Sequence, residues 1–118
     1  MSSKSLAIIT AVFPPYHGGM GYAAAQHAQL MAERGFTVEV HTPAYKRAVE
    51  KEQRDGYVIN WLKPKFSFGN SAIIHPDISK ADIIHLHFPF YGTAGQLPKW
   101  KAQFPNKKFV LTYHMDPI

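Results

Sequence analysis

Five short runs of apolar and β-branched residues recur along this chain, separated by segments that are polar, glycine-bearing or helical in pattern. The runs cover residues 6–12, 37–42, 56–62, 82–87 and 108–114. Between the first two, residues 20–34 repeat their apolar positions near the helical period and end at Gly35. Strands that alternate with helices form a parallel sheet covered on both faces, with right-handed crossovers. We therefore predict an α/β, Rossmann-like domain with a parallel sheet in the order 3-2-1-4-5.

The remaining segments have weaker patterns. Residues 46–55 are polar and predict a loop or a short helix, and residues 95–104 predict a weak helix interrupted at Pro98. A chain of 118 residues has the usual length of one domain. We therefore expect residues 1–118 to form a single domain.

The chain has no cysteine, which excludes disulfide scaffolds, thiolate metal sites and cysteine nucleophiles and favours a reducing compartment. The apolar run that starts at Leu6 is too short to span a membrane and has no small-residue cleavage site after it. It therefore predicts a buried first strand, and the expected location is the cytoplasm.

The formal charge of +5 raises the question of an anionic partner. The basic residues are dispersed and no nucleic-acid motif accompanies them, so we expect no nucleic-acid partner. Together with the aromatic segment Phe66-Ser67-Phe68, they permit peripheral association with the acidic inner face of a membrane that carries a lipid acceptor. A soluble acceptor is equally open.

The predicted strand order also says where a ligand should bind. The winding of the sheet reverses between the first and fourth strands, and ligands of such sheets bind beyond the carboxyl ends of the strands at that point. The loop after Val12 contains Gly18 and Gly19 and leads into the predicted helix, whose free amide groups favour phosphate or sugar oxygens. A dinucleotide-type GxGxxA match begins at Gly19, but the loop before it is too long and the second strand has no acidic residue at its end.

Three histidines lie near the same edge. His85 and His87 are two apart on the fourth run, so their side chains share a face of a regular strand, and His114 ends the fifth run. A three-imidazole metal site is one interpretation, although no known ligand motif surrounds these residues. His87 and His114, at strand ends, are the better candidates for a ligand site, because function concentrates on loops held by a rigid sheet. His27 and His41 lack that placement and are interpreted as surface or hydrogen-bonded histidines.

Several motifs together resemble a known family. They are Pro-Pro-x-x-Gly-Gly after the first strand, Glu-Arg-Gly closing the helix, Thr-Val-Glu-Val, Ala-Asp-Ile-Ile-His-Leu-His and Val-Leu-Thr-Tyr-His-Met-Asp. In order and spacing, from Leu6 to Asp116, they resemble the N-terminal, acceptor-side domain of GT-B glycosyltransferases of family 4.

The resemblance implies a retaining transferase that moves a sugar, in hexosyl-type transfer, from a nucleotide-sugar donor to an acceptor in the cleft between two Rossmann-like domains. It implies that Gly18 and Gly19 line the cleft and that His87 lies near the acceptor. It also implies that His114 lies beside the reacting sugar as the catalytic residue. It implies neither a cofactor nor a catalytic metal.

The resemblance also implies that the chain is an incomplete N-terminal domain, since the family's nucleotide-sugar domain would follow Ile118. We expect such a part to be inactive alone and to self-associate through the edge of its sheet. Two alternatives stay open: a free-standing Rossmann-like module that binds a phosphorylated ligand, and a histidine-rich metal hydrolase.

Overall fold

The computed structural model describes residues 4–16, 19–65 and 72–114. Gly18 and the aromatic segment Phe66-Ser67-Phe68 lie outside the described residues. The strands are β1 (Ser5–Ile9), β2 (Thr37–Pro43), β3 (Glu50–Arg54), β4 (Tyr57–Leu62), β5 (Ile83–Phe88) and β6 (Lys108–Tyr113). The helices are α1 (Gly19–Glu33), α2 (Tyr91–Ala94) and α3 (Leu97–Gln103).

The strands form one sheet in the order β3-β4-β2-β1-β5-β6. Apart from β3, neighbouring strands are parallel. The five predicted strands correspond to β1, β2, β4, β5 and β6, so the observed order β4-β2-β1-β5-β6 is the predicted order 3-2-1-4-5. β1 lies in the middle, with Leu6 level with Val38 on one side and Ile83 on the other. The predicted Rossmann-like fold class is therefore confirmed.

The interpretation of residues 46–55 as a loop or short helix was wrong, because half of the segment, Glu50–Arg54, forms β3, antiparallel to β4. Asp55 and Gly56 join the two strands, and both have positive φ angles, 44° and 87°. Two adjacent residues of this kind match the right-handed twist of a hairpin. The Asp-Gly pair is thus the sequence signal for a hairpin that the polar composition concealed.

The central strands of the sheet are buried on both faces, as expected for parallel strands joined by helices. On one face, Leu6 and Ile8 pack with Ala24 and Ala28 of α1. The alternate residues of β1, Ala7 and Ile9, face a second cluster that includes Ile74 and Trp100. The small residues of α1 bring that helix close to the sheet.

The region predicted as a weak helix interrupted at Pro98, residues 95–104, contains α3, and the short helix α2 precedes it. Pro98 lies in the first turn of α3, where its missing amide hydrogen would have no partner in the helix anyway. No helix among the described residues combines the length and apolar character needed to cross a bilayer.

Candidate functional site

The carboxyl ends of β1, β5 and β6 lie side by side at one edge of the sheet, because these strands are adjacent and parallel. The loop that leads to α1 leaves this edge from β1, and His114 follows the last residue of β6. The backbone amide of His114 donates to the carbonyl of Phe88, 2.8 Å away, which ties the end of β6 to the end of β5. The edge predicted from the strand order is therefore assembled in the fold.

Four imidazoles meet beneath α1: His27 from the helix, His85 and His87 from β5, and His114. We call them the histidine cluster. The rings of His85 and His87 are stacked at 4.6 Å between centroids, which confirms that the two side chains share a face of the strand. The ring of His114 is nearly parallel to that of His87, with 5.0 Å between the centroids. The structure thus brings together His87 and His114, the two histidines predicted from strand ends.

Hydrogen bonds link the rings in pairs. His87 Nδ1 lies 2.8 Å from His114 Nε2, and His85 Nδ1 lies 3.1 Å from His27 Nε2. His85 Nε2 is also 2.6 Å from Oγ1 of Thr112. A hydrogen bond between two imidazole nitrogens needs one proton, so one ring of each pair donates and the other accepts. His27 is therefore a hydrogen-bonded histidine, as interpreted, but it belongs to the cluster.

Burial keeps the inner rings neutral. The pKa of His87 is lowered to about 3 by burial, with smaller contributions from the neighbouring histidines. The pKa of His85 is lowered to about 4, again mainly by burial and then by His27 and His114. At neutral pH these rings are uncharged polar groups, suited to hydrogen bonds with hydroxyl or other neutral polar groups.

His87 has an unused hydrogen-bonding atom. Its side chain is 3% exposed, and Nε2 is buried without a partner among the described residues. His114 is more exposed, at an intermediate level. A ligand at the carboxyl edge would therefore meet His114 first, with His87 behind it.

The interpretation of His85, His87 and His114 as a metal site gains no support from their arrangement. Across residues 4–16, 19–65 and 72–114, no three histidine, aspartate or glutamate side chains are arranged to hold a metal ion. The hydrogen bonds between the rings are consistent with this, because they direct His87 Nδ1 at His114 Nε2 and His85 Nδ1 at His27 Nε2 instead of toward a common centre.

The two described glycines at the start of α1 have different roles. Gly19 begins the helix and is exposed, and a β-carbon there would meet nothing within 4 Å. Packing within the domain therefore leaves space at this predicted binding residue. At Gly21 a β-carbon would lie 3.1 Å from the carbonyl oxygen of Val12, so this glycine allows α1 to start against the backbone that follows β1. In the sequence, Gly21 stands out only as part of the loose dinucleotide pattern that begins at Gly19.

Residues at the β3–β4 edge of the sheet contact the loop that follows β1. Arg54 Nη1 of β3 donates to the carbonyl oxygen of Pro14 over 2.8 Å. The amide of Lys46 donates to the Tyr16 hydroxyl over 3.1 Å, and the Tyr16 ring packs edge-on against Trp61. The hairpin missed in the sequence thus positions the first loop of the candidate site.

These features define a class of protein. A mostly parallel α/β sheet with polar side chains and a glycine-initiated helix at its carboxyl edge has the form of a domain of a GT-B glycosyltransferase. The solved structure of sucrose-phosphate synthase from Thermosynechococcus elongatus is similar, with a TM-score of 0.65 and 15% sequence identity. The match covers 95% of this chain and 33% of the synthase chain. At this identity the likeness concerns the fold, and the chain spans about a third of the length of that structure.

Residues 17–117 match the family model described as Glycosyltransferase Family 4. The match includes His87, His114 and the start of α1, and the chain belongs to this family. A search of curated proteins found no match.

Proposed function

We propose that this chain is the N-terminal, acceptor-side part of a retaining glycosyltransferase. The whole enzyme would move a hexosyl-type sugar from a nucleotide-sugar donor to an acceptor. The observation that carries the proposal is the pairing of His87 with His114 at the carboxyl edge of the sheet. Membership in family 4 supports a transferase over a free-standing phospholigand module and over a metal hydrolase.

His114 is the proposed catalytic residue. Its intermediate exposure leaves the ring accessible to a sugar or an acceptor hydroxyl, while its backbone is tied to Phe88. A polar group held in this way stabilises a transition state without having to reorganise during the reaction. The gain is largest when the hydrogen bond is stronger in the transition state than in the bound substrate.

His87 is the proposed supporting group on the acceptor side. Its Nδ1 shares a proton with His114 Nε2 at 2.8 Å, so the state of one ring fixes which nitrogen of the other carries hydrogen. Because His87 is almost fully buried, it orients His114 more readily than it contacts a large acceptor. Gly18 and Gly19, the first residue of α1, are the proposed cleft-lining residues.

The decisive experiment compares His114→Ala with His75→Ala in an enzyme that contains this chain together with a nucleotide-sugar domain. His75 is an exposed histidine whose ring is hydrogen-bonded to Gln96, outside the histidine cluster. We expect His114→Ala to lower kcat about ten- to a thousand-fold per folded molecule while leaving the fold intact, because one polar contact is lost at the reacting centre. A normal kcat with a lowered melting temperature would make His114 a structural residue and overturn its proposed role.

The chain alone should not transfer sugar, because a single wall of the cleft cannot hold donor and acceptor in register. The check is a transfer assay on the purified 118-residue chain with a series of nucleotide sugars. Turnover that survives rigorous removal of contaminating enzymes would show that one domain suffices.

A further inference from the structure

The histidine cluster contains two residues, His27 and His85, to which the proposed function gives no part. His85 lies on β5 two residues before His87, and its ring is hydrogen-bonded at both nitrogens. Nδ1 is 3.1 Å from Nε2 of His27, and Nε2 is 2.6 Å from Oγ1 of Thr112. His27 belongs to α1 and Thr112 to β6, so two different elements of the fold fix the ring of His85.

The two hydrogen bonds hold His85 without requiring a charge on its ring. A neutral imidazole has one donor and one acceptor nitrogen, whereas the hydroxyl of Thr112 and the ring of His27 can each serve in either way. The hydrogens can therefore point from His27 through His85 to Thr112, or in the opposite direction. In both arrangements the two nitrogens of His85 are satisfied and the plane of its ring is the same.

The fixed ring of His85 gives His87 a flat support. The two ring centroids are 4.6 Å apart, and the ring planes differ by 19°. The ring of His27 approaches His87 from another direction, at 6.1 Å between centroids and 61° between planes. Aromatic rings packed in this way have preferred relative orientations. A rotation of the His87 ring would therefore break its contact with His85.

The orientation of His87 in turn sets that of His114. His87 Nδ1 lies 2.8 Å from His114 Nε2, and the two ring planes differ by 13°. The N–H group and the lone pair of an imidazole both lie in its ring plane, so turning His87 would misdirect this hydrogen bond. His114 Nε2 is engaged in the bond, so a substrate at the edge of the sheet would meet Nδ1. The direction of Nδ1 follows from the same ring plane.

Thr112 is placed to act on this arrangement from a distance. It lies level with His87 in the register of β5 and β6 and two residues before His114. Its hydroxyl is hydrogen-bonded to His85, so the effect of this hydrogen bond on His114 passes through the rings of His85 and His87. A β-branched residue is also well suited to a strand, so the residue type alone gives no sign of this role.

We propose that His85, held by His27 and Thr112, is a positioning residue that sets the ring planes of His87 and His114. A functional side chain keeps its productive geometry only when packing and hydrogen bonds lock the residues that support it. The effect on the reaction rests on the proposed transfer function, whereas the ring geometry can be tested without any substrate.

The first test is NMR of the histidine ring nitrogens in the 118-residue chain, which reports the nitrogen that carries the hydrogen in each ring. In the wild type, we expect one dominant tautomer for the His87–His114 pair. Thr112→Val removes the hydroxyl but keeps the size of the side chain. It should lower the ratio of major to minor tautomer in this pair about fivefold, the equivalent of roughly one net hydrogen bond.

Two matched variants separate the hydroxyl from the strand. Thr112→Ser keeps the hydroxyl and should restore the wild-type ratio. Val110→Ala shortens a partly exposed side chain on the same strand and the same face, outside the cluster, and should also keep that ratio.

The second test measures transfer by an enzyme that contains this chain together with a nucleotide-sugar domain. Thr112→Val should lower kcat several-fold per folded molecule with little change in KM, because the substrate-binding surface is kept and alignment at the reacting centre is lost. Thr112→Ser should restore kcat, and Val110→Ala should leave it near the wild-type value.

The proposal is overturned if Thr112→Val leaves the tautomer ratio of His87 and His114 unchanged, or if Thr112→Ser changes it as much as Thr112→Val does. An equal change in Val110→Ala would show a general loosening of β6 and would also overturn it. A loss of kcat in His114→Ala with none in Thr112→Val would remove the positioning role in the reaction. A normal kcat in His114→Ala would instead overturn the proposed role of His114, and the NMR test would still decide the ring geometry.

Discussion

The two edge strands of the sheet are built in opposite ways. β3 consists of polar residues, and its Glu52 contacts Arg47 at 3.1 Å and Arg54 at 2.7 Å. β6 is rich in apolar and aromatic residues, and Leu111 and Tyr113 are 54% and 59% exposed. Charged side chains on an edge strand discourage pairing with another strand, whereas an exposed apolar edge invites it. The comparison indicates that β3 is protected against pairing with another strand, whereas β6 is suited to such pairing.

The two regions also differ in what stabilises them. Trp61 of β4 is fully buried beside β3, and its Nε1 donates to Glu52. The guanidinium of Arg47 lies over the Trp61 ring, 3.8 Å from its centroid. Beside β6, the corresponding polar contacts join the rings of the histidine cluster and Thr112. One side therefore depends on ion pairs around an aromatic ring, and the other depends on hydrogen bonds among histidine and threonine side chains.

The largest expected effect comes from removing the aromatic ring on the β3 side. Trp61→Ala should lower the free energy of unfolding by about 3–5 kcal/mol, because it leaves a cavity and deprives Arg47 and Glu52 of a partner. Trp61→Phe keeps most of the ring and should cost about 1–3 kcal/mol through the lost N–H. Urea unfolding of both variants measures the difference, and equal losses would show that the hydrogen bond to Glu52, not packing, dominates.

Lowering the pH should reduce the stability contributed by the histidines beside β6 before it affects the ion pairs of β3. The folded-state pKa of His87, about 3, is below its unfolded value of about 6.5, so the unfolded chain binds a proton that the folded chain does not. Stability is therefore present above the unfolded pKa and falls as pH decreases through the window between the two values. Between pH 7 and about pH 5, protonation of His87 in the unfolded chain should lower the free energy of unfolding by roughly 2 kcal/mol, at about 1.36 kcal/mol per pH unit.

As the pH is lowered, the stability contributed by Glu52 should be lost at a lower pH than the stability contributed by His87. Partial burial raises the pKa of Glu52, but hydrogen bonds from Trp61 and Arg54 and the charges of Arg54 and Arg47 outweigh it and lower the pKa. Its stabilising contribution is present above the unfolded pKa and is lost only as the pH falls toward the lowered folded value. Unfolding free energies across pH for wild type, His87→Gln and His75→Gln test this order. A slope between pH 7 and about pH 5 that is unchanged in His87→Gln would contradict it.

A smaller effect is expected from the contact between β3 and the first loop. Arg54→Met removes charge-assisted hydrogen bonds to Glu52 and to the Pro14 carbonyl and should lower the free energy of unfolding by about 1–3 kcal/mol. Lys51→Met on the same strand is the control, since the Lys51 side chain is 69% exposed and its ion pair is long. That control should change stability by less than about 1 kcal/mol. Equal effects of the two substitutions would remove the special role of Arg54.

The smallest effect concerns association through β6, which stays a proposal. The 118-residue chain should form weak dimers at high concentration, with Kd on the order of 0.1–1 mM, by pairing its exposed apolar edge. Leu111→Lys should weaken this association several-fold, whereas Val49→Lys, at a 60% exposed residue beside β3, should not. Sedimentation velocity across a concentration series measures it. A monomer at every concentration would show that the apolar edge alone does not drive pairing.

Much of the fold was predictable because local pattern and burial agree. The apolar run at β1 and the alternating β2 each indicated a strand, and the parallel order followed from the helices between them. β3 was missed because Glu50–Arg54 is entirely polar, and an edge strand exposed on one side needs no apolar residues. Its turn, Asp55-Gly56, was the one local sign.

The sequence by itself determined which residues would lie at the carboxyl edge, because parallel strands must all end there and His87 and His114 stand at strand ends. It also determined that His85 and His87 share a face, since side chains alternate along a strand. Only the tertiary structure decided that His27 of α1 joins them, that Arg54 reaches Pro14 and that His41 faces a cavity beside Asp77. These contacts join residues 36 to 58 positions apart. Such separations carry no local signal, and the packing of helices and loops on the sheet sets the distances.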